Sequence, residues 1–418
     1  MNSTEPAGTA GRTSPTHPGD LGLLIAGNTV SALGNSVYLI AVTLLLKEMT
    51  GSAFMLGLFQ FLALSPGFLL SPFIGVLVDR LPRRTIIIVS DFCRAVLMIL
   101  AGIALTIPAL HVPGVVLIVA FFAGVGHAVF VPAVHALLPA IVPHDKLQSA
   151  TGLRAGSSQL ANLAGNAIGG TLFVFLGGPI LFVINGISFF ISGIQELFIQ
   201  GGRQPVPQTT HQSMIAMAQV GLRAVAQDRT LQTLLISQAG LFLVSPFLIL
   251  ALPFLLIDEL GMSESALGLY LALALAGGIV GFLVLRKVTH PFLLTNSLHG
   301  YSYLALGAAF AAVGLAPHPV VLGVAAVVSG VAAATVYLVT VTWIQVRSRP
   351  QLHGRLFAVL EAGNSAFAPV GYLVAGILLE LLGANHRMAL LVAVASAALA
   401  WGVAMLWYNR ITVQDQDR

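Results

Sequence analysis

The chain has 418 residues, 57% hydrophobic and only 8% charged, with a formal net charge of +4 and a mean hydropathy of +0.93. A soluble domain carries about 25% charged residues, so these charges cannot cover a water-facing surface of this size, and most of the chain must face lipid. The basic balance does not point to nucleic acid, because Lys and Arg stand singly between apolar runs and form no phosphate-binding face, and the single Cys93 excludes an internal disulfide.

Residues 1–19 are rich in Ser, Thr, Pro and Gly and read as a disordered cytoplasmic tail. They lack a basic segment followed by a short apolar stretch, so the first long apolar run is expected to serve as signal and anchor together. A bilayer core of about 30 Å needs roughly 20 apolar residues in a helix. Runs that meet this length occur at 21–46, 53–78, 85–108, 114–142, 149–177 and 179–200, and again at 230–257, 265–285, 291–316, 319–345, 356–381 and 388–409. The expectation is an all-α membrane protein of about twelve transmembrane helices. It has two six-helix bundles at 20–201 and 230–410, a cytoplasmic linker at 202–229 and a cytoplasmic tail at 411–418. Strand-period alternation is absent, which argues against a barrel.

In the first span Asn28, Ser31, Asn35 and Tyr38 fall on one narrow face at about 100° per residue. Such a face lines a cavity or glues helices together. Between the second and third spans runs Gly75-Val-Leu-Val-Asp79-Arg80-Leu-Pro-Arg83-Arg84, a short charged turn that forces its flanking spans to be antiparallel neighbours. Asp91 and Arg94 follow, three apart on one face of the third span, where burying either alone would be costly and a pair is expected. His127 lies near the middle of the fourth span, with His135 beyond Pro132. A histidine titrates near physiological pH, so His127 is a proton-coupling candidate or a neutral ring bonded to a neighbouring helix. The fifth span carries Ser158, Asn162 and Asn166 beside Gly165, Gly169 and Gly170, a pattern that favours helix packing. Glu196 lies near the inner end of the sixth span, where its chain is expected to snorkel to the surface.

The linker opens on Gly201-Gly-Arg-Gln-Pro, and Ser213 to Asp228 then reads as an amphipathic surface helix or a loop. The seventh span holds Gln238, and the tenth holds Tyr337, Thr340 and Trp343. In the eleventh span Glu361 stands roughly 9 Å past Arg355 at about 1.5 Å per residue. A carboxylate within the membrane is a functional candidate by default, here for proton uptake and release, or else a helix-start acid paired with Arg347 or Arg355.

With a cytoplasmic N-terminus, the inner loops hold Arg80, Arg83, Arg84, Lys146, Arg154, Arg203, Arg223, Arg229, Arg286, Lys287, Arg347, Arg349 and Arg355, and the outer loops only Lys47 and Arg387. That asymmetry places both termini in the cytoplasm of a cell (inner or plasma) membrane protein. Asp258, Glu259 and Glu264 cluster in one outer loop. The halves also echo each other: Gly75-Val-Leu-Val-Asp-Arg matches Gly281-Phe-Leu-Val-Leu-Arg, and Ala155-Gly-Ser-Ser matches Ala362-Gly-Asn-Ser at nearly the same separation. Leu285 stands in the second copy where Asp79 stands in the first.

The Gly-x-x-x-Asp-Arg-x-x-Arg-Arg spacing resembles the loop signature of the major facilitator superfamily. Pro143 to Gly156, Gly221 to Arg229 and Arg355 to Gly371 resemble its enterobactin-exporter and macrolide-efflux branch. Gly165-Asn166-Ala-Ile-Gly169-Gly170 is similar to the antiporter motif of that superfamily, with Asn166 in place of Pro. The resemblance implies two six-helix bundles that rock about a central cavity. It implies an inner gate built from Gly75, Asp79, Arg80, Arg83, Arg84, Asp91, Arg94 and Arg355, with Asp79 docking on the start of the eleventh helix. It implies a cavity lined by the first, fourth, seventh and tenth helices, hence by Asn28, Ser31, Asn35, Tyr38, His127, Gln238, Tyr337 and Thr340.

No phosphate-binding loop, metal-ligand cluster or hydrolase elbow is present in the sequence. The expected protein is not an enzyme and uses no cofactor and no metal. It is a monomeric secondary transporter in the lipid bilayer that binds a small-molecule substrate and protons, and no nucleic acid. Its expected activity is proton-coupled export of an amphipathic or drug-like molecule, as in multidrug resistance. The alternatives are a facilitator or lysophospholipid flippase of the same fold, and, from another class, a membrane receptor or enzyme.

Overall fold

The structure is a computed structural model that describes residues 19–201, 222–285, 297–315, 318–349 and 352–416. The expected N-terminal tail and most of the expected linker helix lie outside these residues. Among the described residues every regular element is helical. The first lobe contains α1 (Asp20–Thr50), α2 (Ala53–Leu69), α3 (Ser71–Arg80), α4 (Arg83–Ala104), α5 (Pro113–Ile141), α6 (Leu147–Leu176) and α7 (Gly178–Leu197). The second contains α8 (Arg229–Pro253), α9 (Ser265–Leu285), α10 (Ser297–Leu315), α11 (Pro319–Arg347) and α12 (His353–Gln416), which is broken at Gly383. Among the described residues ten helices are long and apolar enough to cross a membrane, and Ala53–Leu69 and Leu391–Leu406 are shorter apolar helices. With α2 and α3 forming one span and α12 forming two, the twelve expected spans are accounted for.

The helix boundaries follow local chemistry. Gly51 ends α1 at φ 61°, a left-handed conformation that glycine adopts without steric cost, and its amide closes on the Lys47 carbonyl. Ser52 then caps α2 by accepting from the Met55 amide, and Asp228 caps α8 by accepting from Leu231. The second span is not continuous. Pro66 lacks an amide to sustain the helix, α2 stops at Leu69, and α3 restarts with Pro72 in its first turn. The charged segment is correspondingly not a loop throughout. Gly75 to Arg80 form the last turns of α3, and only Leu81 and Pro82 separate it from α4.

Packing in the first lobe pairs α1 with α6 and α7, α4 with α5 and α7, and α2 with α5. In the second lobe α10 packs on α11 and α12, α9 on α11, and α8 on α12. Small residues let these backbones approach, as expected where lipid tails offer no hydrophobic drive between helices. The two lobes meet along α2 with α12 and along α6 with α9.

Candidate functional site

The junction between the lobes is tight at one end, the end that carries few basic residues. There Gly57 of α2 faces Gly376 of α12, and a Cβ on Gly57 would stand 2.5 Å from the Tyr372 carbonyl oxygen. Gly170 of α6 faces Glu264 and Ser265, and Gly268 of α9 faces Asn166, with a Cβ on Gly268 only 2.1 Å from the Asn166 carbonyl oxygen. Polar ties reinforce the seam: Lys47 Nζ donates to Asp258 Oδ1 at 2.6 Å, and Ser52 Oγ donates to Glu380 at 3.0 Å. Asp258 belongs to a π-helical turn, Phe254–Glu259, that extends α8 toward Lys47. The Lys47 ammonium also lies 5.5 Å from the centre of the Phe254 ring. Asp258 is half-exposed, and an exposed pair of this kind contributes less than about 1 kcal/mol. Lys47→Ala is therefore expected to loosen the seam by no more than about fivefold, with the difference vanishing at high salt. Spin-label distances across that end would measure it.

Below the seam lies a cavity of about 490 Å³ shared by both lobes. Its polar lining includes Gln60 of α2, Gln159 and Asn166 of α6, Tyr270 of α9, Tyr337 of α11 and Tyr372 of α12, and among its described lining residues none is charged. A second cavity, about 220 Å³, lies within the first lobe and is far more polar, with Asn28, Ser31, Asn35, Arg94, His127 and Arg154 on its walls.

These positions sort the expected residues. Asn28, Ser31, Asn35 and His127 come together in the smaller cavity within the first lobe, and Tyr337 lines the larger one. Tyr38 lines neither. It packs edge-on against Phe59 and Phe182 in the first-lobe core. Gln238 and Thr340 are buried inside the second lobe, where Thr340 donates to the Val336 carbonyl beside His299. The cavity takes Ser245, Leu248, Ile249 and Leu252 from the later turns of α8 and a run of residues from α9, whereas Gln238, nearer the start of α8, is buried in its own lobe. Gly165 and Gly169 press on α1, against the Leu33 carbonyl and Ile40, and Gly170 presses on α9, while Asn166 reaches the cavity.

Arg83 donates to the Ala136 carbonyl at 3.0 Å, and Arg84 donates to the Glu196 and Leu197 carbonyls, so both bind helix ends of their own lobe. Asp91 and Arg94 form a buried ion pair. Arg80 is exposed, Arg355 is half-buried, and Gly75 lies in α3, whereas the Asp79 side chain lies outside what the structure describes. Glu361 is exposed on α12, next to Asn364 and close to Tyr337. Glu196 does not snorkel. It is fully buried, because α4 and α1 pack over the face of α7 that carries it. Sequence reasoning missed Gln60, Gln159, Tyr270 and Tyr372 as cavity residues. Gln60, Tyr270 and Tyr372 are each a lone polar group in an apolar run, and that isolation is the signal the sequence offers, whereas Gln159 follows Ser157 and Ser158 in a polar stretch.

The protein is similar to macrolide efflux protein A of Streptococcus pyogenes, 24% identical over 375 residues that cover 86% of this chain and 89% of that protein. It is similar to the multidrug efflux pump Tap of Mycobacterium tuberculosis, 27% identical over 384 residues that cover 86% and 87%. In fold it is similar to a bacterial homolog of the human lysosomal transporter Spinster in an inward-facing, unoccupied conformation, with a TM-score of 0.70, 17% identity and 94% of both chains covered. Residues 24–300 match the model of the Major Facilitator Superfamily. The chain, with its helical spans in two lobes around a shared cavity, belongs to that superfamily of membrane transporters.

Proposed function

We propose that the protein is a proton-coupled exporter of neutral, amphipathic, drug-like molecules that works by alternating access. The observation that carries this reading is the cavity between the lobes: about 490 Å³, edged by tyrosines and amides, with no charged lining residue among those described. Such a wall favours a molecule with a broad apolar body and scattered hydrogen-bonding groups over an ion or a sugar. The two efflux relatives and the transporter fold support the same direction. Under the positive-inside rule the arginine-bearing end faces the cytoplasm. The closed seam then faces outward, and the cavity loads from the cytoplasmic side. In this reading both termini are cytoplasmic, the protein acts as a monomer in the cell membrane, and residues 202–229 link two lobes at 20–201 and 230–410. Gly75, Asp79 and Arg80 at the end of α3 act with Arg355 at the start of α12 as the gate on the cytoplasmic side, where a carboxylate near a helix N-terminus gains about 0.3–1 kcal/mol, weak enough to break in each cycle.

The test is uptake of a radiolabelled macrolide into inside-out vesicles under an imposed pH gradient. Accumulation should require the gradient and collapse with a protonophore. A Gln60→Glu variant, which places a fixed charge in the uncharged wall, should lower accumulation by about tenfold or more. Gradient-independent accumulation would refute the coupling, and an unaffected Gln60→Glu variant would refute the cavity as the binding site.

A further inference from the structure

Within the first lobe, where α1, α4, α5 and α7 meet, the charges do not balance. Asp91 is 0% exposed and Arg94 is 5% exposed, and the two are joined as an ion pair. The Arg94 guanidinium lies between the rings of Phe130 and Phe189, 4.5 and 4.3 Å from their centres. Glu196 of α7 is also 0% exposed, and neither of its carboxylate oxygens has a hydrogen-bond partner. The second oxygen of Asp91 has no hydrogen-bond partner of good geometry either, with the Ser192 hydroxyl beside it. Glu196 is close enough to both Asp91 and Arg94 to feel their charge, so two carboxylates share one guanidinium in a buried site.

The other charged or titratable groups around Glu196 are already committed or lie further off. Arg84 of α4 binds the Glu196 and Leu197 carbonyls, not the carboxylate. Asp20 of α1 accepts from the Gln200 and Gly201 amides. His127 of α5 and Arg154 of α6 stand with Arg94 on the wall of the smaller cavity. Nearby Ser192 Oγ, Gln195 Oε1 and Asn28 Oδ1 have no partners either. An isolated ionised carboxylate in such surroundings is costly, and a bound proton removes the cost. The polar cavity of about 220 Å³ touches Arg94 and supplies room for water to deliver or remove that proton.

We infer that Asp91, Arg94 and Glu196 together form the proton-binding site of the transport cycle, with one proton held between the two carboxyl groups. On release the Glu196 O–H bond breaks, water in the smaller cavity takes the proton, and the carboxylate left behind is neutralised by Arg94, which it then shares with Asp91. Among the described residues the second lobe has no equivalent. The third helix of that repeat, α10, presents His299, bonded to the Val336 carbonyl, and Tyr303, bonded to the Ser237 carbonyl. Glu361, by contrast, is exposed on α12, outside this cluster.

The inference rests on the proton-coupled reading above, and the experiment separates the two. Wild-type protein, Glu196→Gln, Glu196→Asp and Glu361→Gln are reconstituted and assayed for gradient-driven macrolide accumulation. Thermal melting checks that each is folded. The expected result is a loss of at least tenfold in Glu196→Gln, substantial retention in Glu196→Asp, and retention in Glu361→Gln. A pH-driven wild type with an equally pH-driven Glu196→Gln overturns the inference and leaves the coupled reading standing. A wild type indifferent to the gradient overturns both. Infrared difference spectra of the wild type give a second readout that does not need the Gln variant to fold. They should show a protonated carboxyl band at neutral pH that disappears on macrolide addition and shifts in Glu196→Asp. Absence of that band overturns the inference.

Discussion

Gly268→Leu should cut transport on the order of 100-fold while leaving the protein inserted in the membrane. The position has no room: a single Cβ would stand 2.1 Å from the Asn166 carbonyl oxygen and 3.2 Å from the Gly170 amide nitrogen. Both neighbours are backbone, so neither can swing aside, and α6 and α9 must part to admit a side chain. Overpacking of a close interface costs about 1–3 kcal/mol. Here the cost falls only on the state in which the lobes are closed at this end, so it acts on the balance between states. At about 1.4 kcal/mol per tenfold, the closed population falls by an order of magnitude or two, and turnover should fall on the order of 100-fold. Gly57→Val, aimed at the Tyr372 carbonyl on the other seam, should behave alike. Spin-label distances between the two lobes at the charge-poor end should lengthen in both variants. Turnover within a few-fold of wild type would mean that this seam does not close during the cycle.

Arg94→Ala should cause the largest loss of stability of any single change in the first lobe. Arg94 fills the gap between Phe130 and Phe189 and neutralises Asp91. It also lies directly under Gly126, where a Cβ would come within 2.8 Å of its Cγ. Removing one partner of a buried ion pair costs about 3–5 kcal/mol, because the other charge is left uncompensated. Two carboxyl groups, Asp91 and Glu196, would face the hole. Arg94→Lys keeps the charge but not the flat stack between rings, and should fall in between. A triple change of Asp91 to Leu, Arg94 to Met and Glu196 to Leu should recover much of the melting temperature, since well-packed apolar groups can replace a buried ionic cluster at little cost. Melting in detergent, followed by size-exclusion chromatography, ranks the series. An Arg94→Ala protein as stable as wild type would mean that the cluster contributes nothing to the fold.

The helical spans were legible because lipid imposes a length on every segment that crosses it, and apolar runs of that length leave little choice. The break at Leu70 was less so. Pro66 and Pro72 are visible in the sequence, but a proline inside a membrane helix can be absorbed without a break, and only the packing around it decides. The polar face of α1 is legible as a face, but its destination is not, because periodicity gives a direction around one helix and not the identity of the helix opposite. Asn28 and Ser31 therefore face a pocket inside their own lobe, and Tyr38, on nearly the same face, ends among Phe59 and Phe182. Glu196 shows the same limit. Its nearness to the end of α7 implied an escape to water, and the cover supplied by other helices closed that escape. Gln60, Tyr270 and Tyr372 line the larger cavity because helices far apart in sequence converge there, which no single-helix pattern encodes.

The interruption of the second span at Leu70 divides its loyalties. Above it, α2 is clasped between α5 of its own lobe and α12 of the other, and below it α3 rests on α5. A rigid rod in this position would drag Gly75 and Arg80 along whenever the upper half followed α12. Jointed at Leu70, the span works as a two-piece strut. The upper piece can tilt with the opposite lobe while the lower piece stays seated on α5 of its own.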